Sequence, residues 1–73
     1  MSELGVVLFY TTSAAMRAEK LLVGEGITCK LIPTPRQLSS DCGISLRFCW
    51  EKRGEIESIF KRANTEFDAI YHL

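Results

Sequence analysis

Cys42 is the cysteine whose sequence surroundings best suit a chemical role. It lies in a polar, turn-rich run between two apolar segments, and this run reads Pro33-Thr34-Pro35-Arg36-Gln37-Leu38-Ser39-Ser40-Asp41-Cys42-Gly43. Loops carry reactive residues more often than cores do, because a rigid framework can present them to other molecules. A thiol in such a segment can attack an electrophile, be oxidised, or hold a second chalcogen atom. This run therefore makes Cys42 the candidate nucleophile.

Polar groups near Cys42 in the sequence are suited to stabilising a negatively charged sulfur. Hydroxyl groups, a flexible backbone position and guanidinium groups all bind anions. The candidates are Arg36, Ser39, Ser40, Gly43 and Arg47. The adjacent Asp41 and the end of a short predicted helix act in the opposite direction, because negative charge disfavours a thiolate. The residues alone leave two interpretations of Cys42 open, a reactive thiol or a loop cysteine that plugs the end of the core.

The other two cysteines fall within predicted strands. Cys29 lies on the apolar side of its strand, which favours a small buried hydrophobe. Cys49 lies on the face opposite Phe48, either as a filler of that face or in a subunit contact. These two with Cys42 and His72 are the candidate zinc ligands, but no Cys-x-x-Cys pair is present. We therefore expect no metal and no cofactor, and no dithiol oxidoreductase activity.

Composition excludes several classes of protein. The 73 residues predict a single domain, 1–73, and the formal net charge of zero gives no general attraction to nucleic acid or to an anionic membrane. No stretch approaches the ~20 apolar residues of a membrane span, and the first residues lack a basic signal-peptide region. Three cysteines are too few for a disulfide framework. We expect free thiols in a reducing cytoplasm.

Hydrophobic periodicity predicts alternating strands and helices. Segments with apolar residues at every second position are typical of strands, and spacings of three and four are typical of helices. The predicted strands are 5–10, 27–32, 44–50 and 67–71, and the predicted helices are 14–23, a short 36–40, and 55–63. The order β-α-β-(short α)-β-α-β predicts a ferredoxin-like α+β two-layer sandwich, with two helices on one face of a four-stranded sheet.

The first predicted strand is apolar on both sides. Val6, Leu8 and Tyr10 alternate with Val7 and Phe9, so we expect a central strand buried on both faces. The sheet face without helices would then need a cover. Pairing with a second copy of the chain would provide one, which makes a homodimer one expectation.

The sequence resembles the Se/S carrier protein-like family of small bacterial and archaeal proteins over nearly its whole length. The matching residues are Leu31-Ile32-Pro33-Thr34-Pro35-Arg36, Leu38-Ser39-Ser40, Cys42-Gly43 and Leu46-Arg47-Phe48, together with Ala15-Met16-Arg17-Ala18-Glu19-Lys20-Leu21-Leu22, Gly26-Ile27 and Ile70-Tyr71. A Pro-Thr-Pro-Arg run followed at fixed distance by Ser-Ser-x-Cys-Gly rarely arises by chance, so this motif is a specific sign of the family.

The resemblance implies a carrier of reduced selenium or sulfur, an accessory protein rather than a stand-alone enzyme. Cys42 would hold the chalcogen as a perselenide or persulfide. Residues that would shape its pocket are Arg36, Ser39, Ser40 and Gly43. The resemblance also implies donor and acceptor proteins, such as a cysteine desulfurase or selenocysteine lyase and a selenophosphate-forming enzyme. It assigns no role to Cys29 or Cys49.

Two other functions fit the same residues. A small-molecule sensing or protein-interaction module of ferredoxin-like fold would use the 36–43 loop to bind an anion or a partner without covalent chemistry. Redox sensing through Cys42 and Cys49 is the third hypothesis.

Overall fold

Four strands and two helices make up the part of the chain that the structure, a computed structural model, describes, namely residues 3–38 and 43–73. Their bounds are β1 Leu4–Leu8, α1 Thr12–Gly24, β2 Cys29–Pro33, β3 Ile44–Cys49, α2 Arg53–Ala63 and β4 Ala69–His72. The strand order is β2-β3-β1-β4, and every neighbouring pair is antiparallel. This arrangement confirms the predicted ferredoxin-like α+β sandwich.

The central strand β1 is buried on both sides. Val7 and Phe9 face the helices, while Val6 and Leu8 lie on the opposite surface of the sheet, which we call the outer face. All four side chains are at most 1% exposed. The chain itself therefore covers Val6 and Leu8, and their burial does not require the second copy expected from the sequence.

Both helices pack on the other face of the sheet and close the core. Helix α1 contributes Ala15, Ala18 and Leu22, spaced by three and four residues so that they share one side. The side chain of Thr11 accepts a hydrogen bond from the N–H of Ala14 at 3.1 Å, which caps the helix.

Helix α2 buries a second apolar stripe against the same core. Its buried residues are Ile56, Ile59 and Phe60. The Phe60 ring packs edge-on to Phe9 and tilted against Phe67, at centroid distances of 6.3 and 5.3 Å. Neither helix of the described residues is long and apolar enough to cross a bilayer.

The segment after β3 differs from its prediction. Trp50 was expected to end the strand, but it begins a 3-10 turn over Trp50–Lys52, and α2 then starts at Arg53 instead of residue 55. The N–H of Arg53 donates to the carbonyl of Trp50, a bond that feeds the turn directly into the helix. Residues 51–54, which lie between the predicted strand and the predicted helix, are therefore helical.

An aromatic stack covers the only glycine of the central strand. In the sheet Gly5 pairs with Phe48 on one side and with His72 on the other. The Trp50 ring stacks on Phe48 and on His72 at centroid distances of 6.1 and 4.5 Å. A Cβ at Gly5 would come within 2.5 Å of Trp50 and 2.6 Å of Phe48. The stack can therefore sit on the sheet only because this residue has no side chain.

We predict that Gly5→Ala destabilises the fold by about 1–3 kcal/mol, because rigid rings must move to admit the methyl group. Gly54→Ala is the matched control, since a Cβ there would meet no atom within 4 Å and alanine favours a helix. Urea unfolding followed by Trp50 fluorescence and circular dichroism measures both. Equal stability of the two variants would contradict the close approach at Gly5.

Candidate functional site

The loop that carries Cys42 leaves and re-enters the sheet at a single point. The N–H of Thr34 donates to the carbonyl of Gly43 at 3.0 Å, immediately beyond the last paired residues of β2 and β3, Pro33 and Ile44. The eight residues 35–42 thus begin and end at a hydrogen-bonded base. Gly43, the residue that follows Cys42 in the sequence, is therefore held at the end of the β2–β3 pair.

A pair of hydroxyl groups reinforces the base of the loop. The Oγ1 of Thr34 and the Oγ of Ser45 are 2.8 Å apart, and Ser45 is completely buried. Ser45 lies on the outer face between Ile32 and Leu8. A buried hydroxyl needs a partner, because its desolvation otherwise costs free energy. The pair therefore ties the start of the loop to the centre of the sheet.

The first part of the loop is a turn. The N–H of Leu38 donates to the carbonyl of Pro35 at 3.0 Å, and Arg36 between them is exposed. The helix predicted over 36–40 is not present in its described part, because a single turn of this kind gains too little to propagate without further contacts. The predicted site residues Ser39, Ser40 and Cys42, and Asp41 beside them, lie outside the described residues.

Arg47 lies on the same side of the sheet as the loop base. It follows Ser45 by two residues on β3, so both side chains are on the outer face. Arg47 is half-buried and pairs across the sheet with Val6 on β1 and with Lys30 on β2. Among the predicted site residues in the described ranges, the structure thus brings Gly43 to the loop base and Arg47 to the face that contains it, with Arg36 on the exposed turn.

Cys29 and Cys49 are separated by the sheet. Cys29 starts β2 and packs against the helix-side core opposite Phe48, while Cys49 ends β3 on the outer face opposite Leu4. Burial raises the pKa of the Cys29 thiol above its ordinary value, and the negative charge of Glu19 adds to this. Both effects disfavour the thiolate of Cys29, which is the nucleophilic form of the side chain.

No group of three His, Cys, Asp or Glu side chains forms a metal-ligand cluster within residues 3–38 and 43–73.

A small apolar cavity adjoins the loop base. It measures about 220 Å³ and is lined by Leu31, Ile32, Pro33, Gly43 and Ile44. Its walls come from the edge strand β2 and the start of β3, directly beside the residue that follows Cys42. These apolar residues lower the polarity of the surroundings of Gly43 and contribute no charge.

Sequence reasoning missed two contacts of the described chain. The Thr34–Ser45 pair joins residues eleven positions apart, and its one indication in the sequence was a serine within a predicted strand. His72, named above only as a candidate zinc ligand, lies on the edge strand β4, where its Nε2 contacts Glu3 at 2.5 Å and its ring stacks on Trp50. No local pattern indicates the second cluster, because its members come from distant parts of the chain.

Comparison with known proteins finds one family. The model of the family described as "Putative Se/S carrier protein-like" matches residues 4–72. No curated protein and no solved structure matches the chain. The match covers every strand and helix, and it confirms the family indicated by the sequence resemblance.

We predict that Ser45→Ala lowers the free energy of unfolding by about 1 kcal/mol, because Thr34 loses its buried partner. It should also speed hydrogen exchange of the Thr34 amide, which closes the loop base. Ser58→Ala, an exposed serine on α2, is the control and should be neutral. If both variants behave alike, the hydroxyl pair does not anchor the loop.

We predict that Cys29 reacts with iodoacetamide with a pH midpoint above that of the same thiol in the unfolded chain. A raised pKa leaves a smaller thiolate fraction at every pH below it, and only the thiolate reacts. The variant Cys42→Ser/Cys49→Ser isolates this thiol, and urea provides the unfolded reference. Limited access of iodoacetamide to the thiol would slow the reaction without moving its pH midpoint. A pH midpoint equal to that of the unfolded chain would therefore refute the raised pKa of Cys29.

Proposed function

The chain belongs to the Se/S carrier-like family, and we propose that it carries reduced sulfur or selenium as a persulfide or perselenide on Cys42. The observation that carries this proposal is the closed loop base, where Thr34 holds the residue that follows Cys42. A carrier needs a thiol on an exposed segment with a fixed attachment, so that donor and acceptor meet it at the same place. The hydrogen-bonded base meets the second requirement.

The proposed chemistry is two successive displacements at sulfur. The Cys42 thiolate attacks the outer sulfur of a donor persulfide, a bond forms between these two atoms, and the donor's own S–S bond breaks to release its thiolate. An acceptor thiolate then attacks the outer sulfur on Cys42, and the Cys42 thiolate leaves. Each step exchanges one S–S bond for another, so the cycle needs no external oxidant or reductant.

Positive charge and hydrogen-bond donors would favour the anionic forms of this cycle. We assign that role to the guanidinium groups of Arg36 and Arg47, the hydroxyls of Ser39 and Ser40, and the backbone at Gly43. Arg47 is supported by its position on the outer face, two residues from the serine that anchors the loop. The apolar cavity beside Gly43 supports a site that limits the access of water to the loaded atom.

The partners of such a carrier are proteins that generate and consume the cargo. A cysteine desulfurase or selenocysteine lyase is the donor class, and a selenophosphate-forming enzyme is one acceptor class. We place this exchange in the cytoplasm, where thiols stay reduced. The cycle proceeds on one chain and does not depend on a homodimer.

We predict that the reduced protein gains one labile sulfur on Cys42 when treated with sodium polysulfide. With selenodiglutathione, the Cys42 thiolate attacks selenium and releases one glutathione thiolate. Added glutathione then attacks the remaining glutathionyl sulfur, which breaks its bond to selenium, forms glutathione disulfide and leaves a perselenide on Cys42. Intact and peptide mass spectrometry should place the added atom on the peptide that contains Cys42. Dithiothreitol should remove it.

Matched cysteine variants decide the outcome. Cys42→Ser should abolish the adduct, whereas Cys49→Ser and Cys29→Ser should retain it. Adducts spread equally over the three cysteines, or none at all, would refute the carrier role. Such a result would favour a binding module without covalent chemistry.

A further inference from the structure

The outer face of the sheet is closed at one end and accessible at the other. Next to the loop base, Leu8 and Ser45 are buried. At the far end the strands present a patch that we call the basic face. It consists of Leu4, Lys30, Arg47, Cys49 and Tyr71. Lys30 is exposed, Tyr71 is 44% exposed, and the other three are half-buried.

Two cations stand directly opposite each other in the basic face. Lys30 on β2 pairs in register with Arg47 on β3. Like charges at directly opposed positions destabilise a sheet. Within residues 3–38 and 43–73, no carboxylate lies within 4.0 Å of either cation. An external anion at this place would therefore relieve a repulsion as well as form new ion pairs.

Apolar groups flank the two cations. Val6 on β1 pairs with Arg47 on β3 and, across its other edge, with Tyr71 on β4. Leu4, two residues before Val6, pairs with Cys49 on β3. A shallow cavity of about 300 Å³ lies at this end of the sheet, lined by Leu4, Lys30, Arg47 and Cys49 together with Thr28, Cys29 and Phe48. A small inorganic anion would use the charges but not the apolar surface. A polypeptide with acidic and apolar side chains would use both.

A second copy of the chain does not fit this patch. A twofold contact places the same surface against itself. The strand residues of the outer face include no carboxylate, so such a contact would bring cations against cations. Charge complementarity instead requires an acidic partner.

We propose that the basic face docks an acidic, partly apolar segment of another protein. Carboxylates of that segment pair with Lys30 and Arg47, and an apolar side chain packs on Tyr71 and Leu4. The identity of the partner as the sulfur or selenium donor or acceptor rests on the proposed function. Arg47 and the loop anchor Ser45 share this face, so a protein bound there approaches the loop of Cys42 from its anchored side.

The test uses a synthetic peptide, acetyl-Glu-Glu-Leu-Phe-Glu-Glu-amide, and the same peptide with lysine in place of glutamate. Titration into the ¹⁵N-labelled full chain should shift the amides around Lys30, Arg47 and Tyr71 with the acidic peptide alone. Binding should weaken with added salt, because these charges are accessible to solvent. Inorganic phosphate, added by itself, should not reproduce the pattern.

Lys30→Glu should weaken peptide binding by about tenfold or more, because it replaces an attraction with a repulsion. Its fold should be retained, because the new carboxylate would face Arg47. Lys20→Glu on α1 makes the same charge change in the helical layer and should leave binding unchanged. Tyr71→Ser should weaken binding while leaving the net charge as it is. Equal binding by the Lys30 and Lys20 variants, or the same shifts with phosphate alone, would overturn the proposal.

Polysulfide loading separates this proposal from the carrier role. Tyr71→Ser, which leaves Lys30 and Arg47 in place, should load Cys42 as the unsubstituted chain does, because a small donor needs no docking. Loading of Cys42 without peptide binding would overturn the docking proposal alone. Peptide binding without loading would support the docking surface and refute the carrier function.

Discussion

The burial of β1 on both sides is the constraint on which the rest of the structure depends. Val6 and Leu8 on one side and Val7 and Phe9 on the other are all sealed from water. A strand of this kind accepts only one register with its neighbours, because a slip by one residue exchanges the faces of the partner strand. On β3 such a slip would turn the polar side chains of the outer face into the apolar core beneath the helices.

Face assignment could be predicted from the sequence, whereas the boundary between β3 and α2 could not. Alternation along a strand is a local property, so the separation of Phe48 from Cys49 follows from spacing alone. The end of β3 depends instead on Trp50, whose N–H donates to the carbonyl of Glu3 and whose ring covers Gly5. Those contacts join distant parts of the chain. The local pattern of the 50–54 segment favours a strand end and a turn, and tertiary contacts override it.

The candidate site likewise has features that follow from neighbouring residues in the sequence and features that depend on contacts between distant ones. The Pro-Thr-Pro-Arg and Ser-Ser-x-Cys-Gly runs indicated the family, and the match over residues 4–72 agrees. The anchoring of the loop was not predictable, because the bond from Thr34 to Gly43 exists only when β2 and β3 pair in their observed register. The assignment of Arg36 to a helix failed because its segment makes one turn and gains no further helical bonds in its described part.

The register that protects the core also couples the loop to the charge on the outer face. Ser45 and Arg47 are two residues apart on β3, so they must point to the same side whatever the register. With β1 fixed, that side is the outer face, where Ser45 meets Thr34 and Arg47 meets Lys30. The loop anchor and the opposed cations therefore cannot be placed on different faces without unfolding β3. Any acidic protein that binds the cations shares a surface with the base of the Cys42 loop, and this follows from the period of a strand rather than from a separate feature of the sequence.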